Sequence, residues 1–218
     1  MKIRLTCIMM ILGLATVQAQ DSFEKALIEH VRELTSPKLM GRETGTAGES
    51  DAAAYISRQF SEKGLELLYP GGYQDFSFVD NNSADTLFSQ NVVAVIPGYD
   101  PQLREEYIVV GAHYDNLGTY TIRINGKDSL CIYPGADANA SGVAALIELA
   151  AAAQGQFFMY KRSILFVAFG AGQKGAMGSW YFVNRAFPPS SVKMMINLDR
   201  LGRGSADDPP KAFCGQPH

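Results

Sequence analysis

Apolar residues are spaced along this chain in two rhythms, and the change between them divides it. From residue 22 to about 35, Phe23, Ala26, Leu27, Val31 and Leu34 recur every three or four positions, which predicts an amphipathic helix. His30 lies on it with no ligand-type neighbour in sequence, and is expected at the surface or half-buried. The stretch SPKLMGRETGTAGES, rich in Gly, Ser and Thr, predicts a loop. A second helix follows from Glu49 to Lys63, with Ala53, Ile56 and Phe60 on one face and Gly64 where a C-terminal cap belongs.

The rhythm then shortens to short apolar runs. Tyr73 to Val79 alternates as a strand does, Asn91 to Ile96 is a β-branched run closed by Pro97-Gly98, and Tyr107 to Ala112 is another. Continuous apolar runs of this kind predict strands covered on both faces. Asn125-Gly126 sits between two alternating segments from Thr119 to Tyr133, which predicts a hairpin. An alanine-rich helix is expected over Ser141–Ala153, a buried strand over Ser163–Phe169, a helix around Gly178–Arg185 and a last strand over Val192–Leu198. Strands alternating with helices predict an α/β fold, a three-layer sandwich around a mostly parallel mixed sheet. The remaining tail, GRGSADDPPKAFCGQPH, is polar and turn-rich and is expected to close no element.

Composition adds limits more than content. With 47% apolar and 19% charged residues the 218-residue chain is globular, and its net charge of −3 gives no ground for a nucleic-acid partner. The first residues say more. Lys2 and Arg4 precede an apolar run from Leu5 to Val17, and Val17-Gln18-Ala19 ends in small residues suited to cleavage. The run is shorter than the ~20 residues of a membrane span. A signal peptide over residues 1–19 is therefore expected, with a secreted or periplasmic domain over 20–218. After cleavage Cys131 and Cys214 remain, and export would permit a disulfide between them; two unpaired thiols fit the sequence equally well.

In a parallel α/β sheet ligands bind outside the carboxyl ends of the strands. The Tyr107–Ala112 strand delivers His113 and Asp115, the chain returning from the hairpin delivers Asp137, and the last strand delivers Asp199. One imidazole and three carboxylates converging on one rim is a zinc-type donor set. Asp137 alone could equally serve as a helix cap.

These residues carry a resemblance. The segments LMGRETGTAG, GAHYDNLG, PGADANASGVAALIELA, FVAFGAGQKGAMGSWYFV and MINLDRLGR, in this order, resemble the zinc-dependent aminopeptidases of metallopeptidase family twenty-eight, across nearly all of the chain from the loop to Arg203. The resemblance implies an exopeptidase fold, a peptide or protein N-terminus as substrate, and zinc as cofactor. It also implies that His113 and Asp199 bind one zinc, that Asp137 bridges it to a second, and that Asp115 holds His113 from behind. Asn139 and Ser141 would be carried into the following helix, with Gly142 allowing close backbone packing.

Two departures follow from the same resemblance. Active relatives carry consecutive glutamates, a general base and a ligand of the second zinc, where this chain has Gly172 and Gln173. A general base is typically worth about 10²–10⁴-fold in rate, so impaired catalysis is expected, with at most one zinc bound by His113, Asp137 and Asp199. The family's remaining histidine ligand lies beyond the last strand here, and His218 comes too early to align with it. A missing C-terminal part, with the Asp199 strand left as a bare edge, is expected. Lys174 and Glu148 are the alternative bases nearest in sequence, Glu148 being expected as a solvated charge. Arg200 and Arg203 flank the rim, Arg200 facing away from Asp199 if the strand continues. A non-catalytic peptide- or glycan-binding module is the competing reading.

Overall fold

The computed structural model describes residues 22–186, 188–202 and, for the backbone alone, 212–215. The expected leader, Arg203 and His218 lie outside these residues. Helix α1 covers residues 22–34. It is followed by α2 (Ala47–Glu62), β1 (Glu66–Leu67), β2 (Tyr73–Val79), β3 (Thr86–Ile96), β4 (Tyr107–His113), β5 (Thr119–Ile124) and β6 (Lys127–Ile132). Then come α3 (Gly142–Gln154), β7 (Ser163–Phe169), α4 (Met177–Arg185), β8 (Val192–Leu198) and β9 (Ala212–Gly215).

One sheet runs β1-β3-β7-β4-β8-β9, with β2 also paired to β3. Its centre is parallel, β7 with β4 and β4 with β8, and its flanks are antiparallel. This is the expected mixed α/β sheet. Alternation along the central strands makes two cores. Val92, Ala94 and Ile96 of β3, Val110 and Ala112 of β4, and Phe166 and Ala168 of β7 face Leu34 of α1, Ile56 and Phe60 of α2, and Leu146 and Ile147 of α3. Val93, Val95, Val109, Leu165, Val167 and Phe169 face the other way, onto Phe182 of α4. The two faces together make the three layers. No helix among the described residues is long and apolar enough to cross a membrane.

Several expectations change. β3 begins at Thr86, five residues earlier than its apolar run, because Thr86–Val92 pairs with all of β2 across a tight connection. The loop before α2 contains a kinked 3-10 turn, Pro37–Arg42, with Met40 and Gly41 in the left-handed region. His30 is buried: Nδ1 lies 2.6 Å from the Tyr55 hydroxyl and Nε2 3.0 Å from Glu148 Oε1. Glu148 is buried as well and holds Lys63 at 2.8 Å, since α1, α2 and α3 pack together just there. The tail does close an element, because β9 pairs with the outer edge of β8 from Met195 to Leu198. That edge is therefore not bare. Cys131 is a free, half-buried cysteine, and the side chain of Cys214 lies outside the described residues.

Candidate functional site

The site forms where β4 and β8 end side by side. β4 and β8 are in parallel register up to Gly111 and Asn197, so His113 and Asp199 emerge together at the carboxyl rim. His113 Nε2 stands 3.7 Å from Asp199 Oδ1. Its Nδ1 lies 3.2 Å from the backbone oxygen of Asp115 and 3.4 Å from the Asp115 carboxylate. Both neighbours of Nδ1 are acceptors, so Nδ1 carries a hydrogen, and Nε2 faces Asp199, offering a lone pair there when the ring is neutral. Burial lowers the His113 pKa, but the Asp115 and Asp199 carboxylates outweigh it and hold the imidazole above its ordinary value.

Asp115 is fully buried and saturated. Its Oδ2 accepts from Thr44 Oγ1 (3.1 Å) and from the Gln173 N–H (2.8 Å), and its Oδ1 from the Gly172 N–H (2.7 Å). The turn after β7 is held in the same manner throughout. Gly170 N–H donates to Asn91 Oδ1 at 3.2 Å and Ala171 N–H to Glu49 Oε1 at 3.3 Å. Four successive amides, from 170 to 173, thus end on buried side chains from β3, α2 and the β4 exit. Glu49 also accepts from Ser89 Oγ (2.7 Å) and from Gly45 N–H (2.7 Å). Burial pushes its carboxyl up to about 7 against the pull of those hydrogen bonds.

Arg42, fully buried, donates to the carbonyls of Tyr114, Leu34, Pro134 and Gly135, joining the end of α1, the β4 exit and the return from the hairpin. Burial lowers its pKa to about 10, with Asp115 raising it in part. An unpaired guanidinium would not survive there, but one satisfied by carbonyls does.

Asp137 sits in the irregular turn Ala136–Ser141, which contains a cis peptide between Ala138 and Asn139. Asn139, wholly buried, donates to the backbone oxygens of His113 (3.2 Å) and Leu198 (2.9 Å), and accepts from Gly142 N–H and Arg200 N–H. It clips both strand ends to the start of α3. Gly142 has no room for a side chain: a Cβ would meet Asn139 Oδ1 and the Leu198 oxygen. The Asp137 carboxylate is engaged, with Oδ1 accepting from Gly202 N–H at 3.1 Å. Arg200 is beyond the end of β8, exposed, with a φ of 54°, so strand alternation does not apply to it.

Among the described residues no group of three His, Cys, Asp or Glu side chains is arranged to hold a metal. His113 and Asp199 come together; Asp137 is on the adjoining turn, its Oδ1 accepting from Gly202 N–H. The pair nonetheless fits a cation. Asp199 Oδ1 is buried and has no hydrogen-bond partner among the described residues, and a buried polar oxygen without a donor is costly. The lone pair of His113 Nε2 faces it at a separation that two ligand atoms can adopt when each is about 2.0–2.1 Å from a zinc ion.

Sequence reasoning missed Thr44, Glu49 and Asn91, which reach the site from afar. Glu49 did leave a local signal, the Thr46-x-x-Glu49 spacing of a capping box at the start of α2, although its side chain accepts from Gly45 N–H and not from Thr46 N–H.

The profile of Peptidase family M28 matches residues 91–210. A protein of Pyrenophora tritici-repentis described as a probable zinc metalloprotease is 26% identical over 207 residues, covering 87% of this chain and 43% of its own. The chain thus spans less than half the length of that relative. Among solved structures, a Zn-dependent exopeptidase from Parabacteroides distasonis superposes with a TM-score of 0.63 at 18% identity, over 83% of this chain and 62% of the other. A glutaminyl cyclase from Porphyromonas gingivalis superposes at 0.62 with 20% identity, over 82% and 59%. At these identities the superpositions establish the fold alone, and one fold serves more than one chemistry.

Proposed function

The chain belongs to peptidase family M28, a zinc metallopeptidase family of the exopeptidase type, and on that premise we propose that it is a secreted, catalytically impaired relative that binds a single zinc ion and receives a peptide N-terminus. The observation that carries this reading is the pairing of an unpartnered, buried Asp199 Oδ1 with His113 Nε2, beside a glycine at position 172. Zinc, when bound, polarises a carbonyl and lowers the pKa of a coordinated water. The chain's own residues supply the rest. His113 and Asp199 would hold the ion, with Asp137 on the adjoining turn as a further carboxylate, and Asp115 fixes the imidazole by its Nδ1 hydrogen.

Removal of a proton from water then lacks an acceptor. Gly172 has no side chain, and the two alternative bases are engaged elsewhere. Lys174 is ion-paired with Asp80 at 2.8 Å, which holds the Asp80 carboxyl below its ordinary value. Glu148 is buried against His30 and Lys63. Recognition without turnover follows. The basic start and the short apolar run through Val17 support export, with cleavage near Ala19.

The test is zinc stoichiometry by elemental analysis of the dialysed chain, with aminoacyl-nitroanilide hydrolysis measured on the same sample. About one zinc with no turnover is expected. Two zincs, with turnover abolished by a chelator, would overturn the reading.

A further inference from the structure

The glycine at 172 does more than lack a carboxylate. A Cβ built on it would lie 2.6 Å from His113 Cβ, 2.8 Å from His113 Cγ and 2.9 Å from Asp115 Oδ1. Approaches under about 3 Å are not tolerated between carbon atoms, whose contact optimum is about 3.5–4.0 Å. One side of this contact must give if any other residue stands there. The turn is poorly placed to give, because its four amides from 170 to 173 are fixed by Asn91, Glu49 and Asp115. Its neighbours are equally tight: a Cβ at Gly170 would meet Ser89 Oγ and the Gln90 oxygen, and one at Gly178 the Gly170 oxygen. Asp115 is fully buried with every contact engaged. His113 remains, its side chain 19% exposed and its Nε2 without a hydrogen bond.

Resting on the single-zinc reading above, we infer that Gly172 is a positioning residue. Its bare backbone forms the wall against which the His113 ring is set toward Asp199. The site is committed to glycine at this position, so any side chain placed here displaces the imidazole. The close approach is a property of the backbone, set by the amides that Asn91, Glu49 and Asp115 hold.

Three readouts test it on the whole mature chain. First, Gly172→Ala is titrated with zinc against a chromogenic chelator, and a loss of affinity of about 10-fold or more is expected, the size typical when a ligand's support is disturbed. Second, imidazole nitrogen–proton correlations are recorded on the metal-free protein, which after cleavage has only His30, His113 and His218. The His113 signals should move in Gly172→Ala while those of His30 stay. Third, the coupling is measured by urea denaturation. Gly172→Ala should lower the midpoint clearly more in the parent than in a His113→Gly background, where the two contacts with the imidazole side chain are gone and only the one with Asp115 Oδ1 remains.

Unmoved His113 signals, or equal destabilisation in both backgrounds, would overturn the inference. Absence of zinc binding by the parent overturns the single-zinc reading alone, and the ring signals and the coupling then still decide the role of Gly172.

Discussion

Two aspartates at one rim, Asp115 and Asp199, have opposite fates. Asp115 is sealed, with a hydroxyl and two amides on its oxygens and an imidazole beside it. Asp199 is half-buried and its Oδ1 has nothing to accept from. The first is part of the framework and is complete within the chain. The second is poised for a cation, since an ionised oxygen without a donor costs free energy that a metal would recover. The difference teaches where structure ends and chemistry begins in this site: on opposite sides of the His113 ring.

The sharpest way to break this contrast is Asp115→Ala. It strands two buried amides and the Thr44 hydroxyl, and a loss of about 3–5 kcal/mol in urea denaturation is expected. A loss below about 1 kcal/mol would mean that Asp115 is no more structural than Asp199.

A smaller effect should come from Glu49, which supports the sealed side through Ala171. A carboxyl whose pKa rises on folding binds its proton more tightly in the folded state, so its contribution favours low pH. That contribution is fully present below the ordinary value of 4.5 and is lost as pH climbs through about 7. Stability should therefore decline across this window, and Glu49→Gln should flatten the decline. An unchanged slope in the variant would detach Glu49 from the comparison.

The smallest effect is expected on the open side. Asp199→Asn should change the stability of the metal-free protein by no more than about 0.5 kcal/mol, yet weaken zinc binding by about 10-fold or more. A large loss of stability without metal would make Asp199 a second structural aspartate and erase the distinction.

How much of this was legible depends on how local each cause is. β7 runs over the residues its apolar run marks, because a strand buried on both faces writes itself as a continuous run, and β8 keeps its expected bounds although most of its side chains are only half-buried. The N-terminal half of β3 left a weaker trace, since Thr86–Gln90 is stabilised by pairing with β2 more than by burial. Strand β9, in a polar tail, left none. In the site, His113, Asp115, Asp137 and Asp199 could be named because strand ends announce the rim. What the sequence could not tell is that Asp137 is engaged by Gly202, or that Glu49 reaches Ala171 across 122 residues. Nor could it show that Gly172 presses on His113, because glycine looks alike whether it is needed or merely tolerated.

Arg42 carries a consequence for how the rim assembles. Its four carbonyl partners lie 8, 72, 92 and 93 residues further along or back in the chain. No short segment can satisfy that guanidinium, so while the molecule is still forming the charge must remain in water. It can move inward only after the first helix has docked, β4 has paired and the hairpin has returned. One buried side chain thus ties together segments far apart in sequence, so the rim is expected to open and close as a unit and not piece by piece.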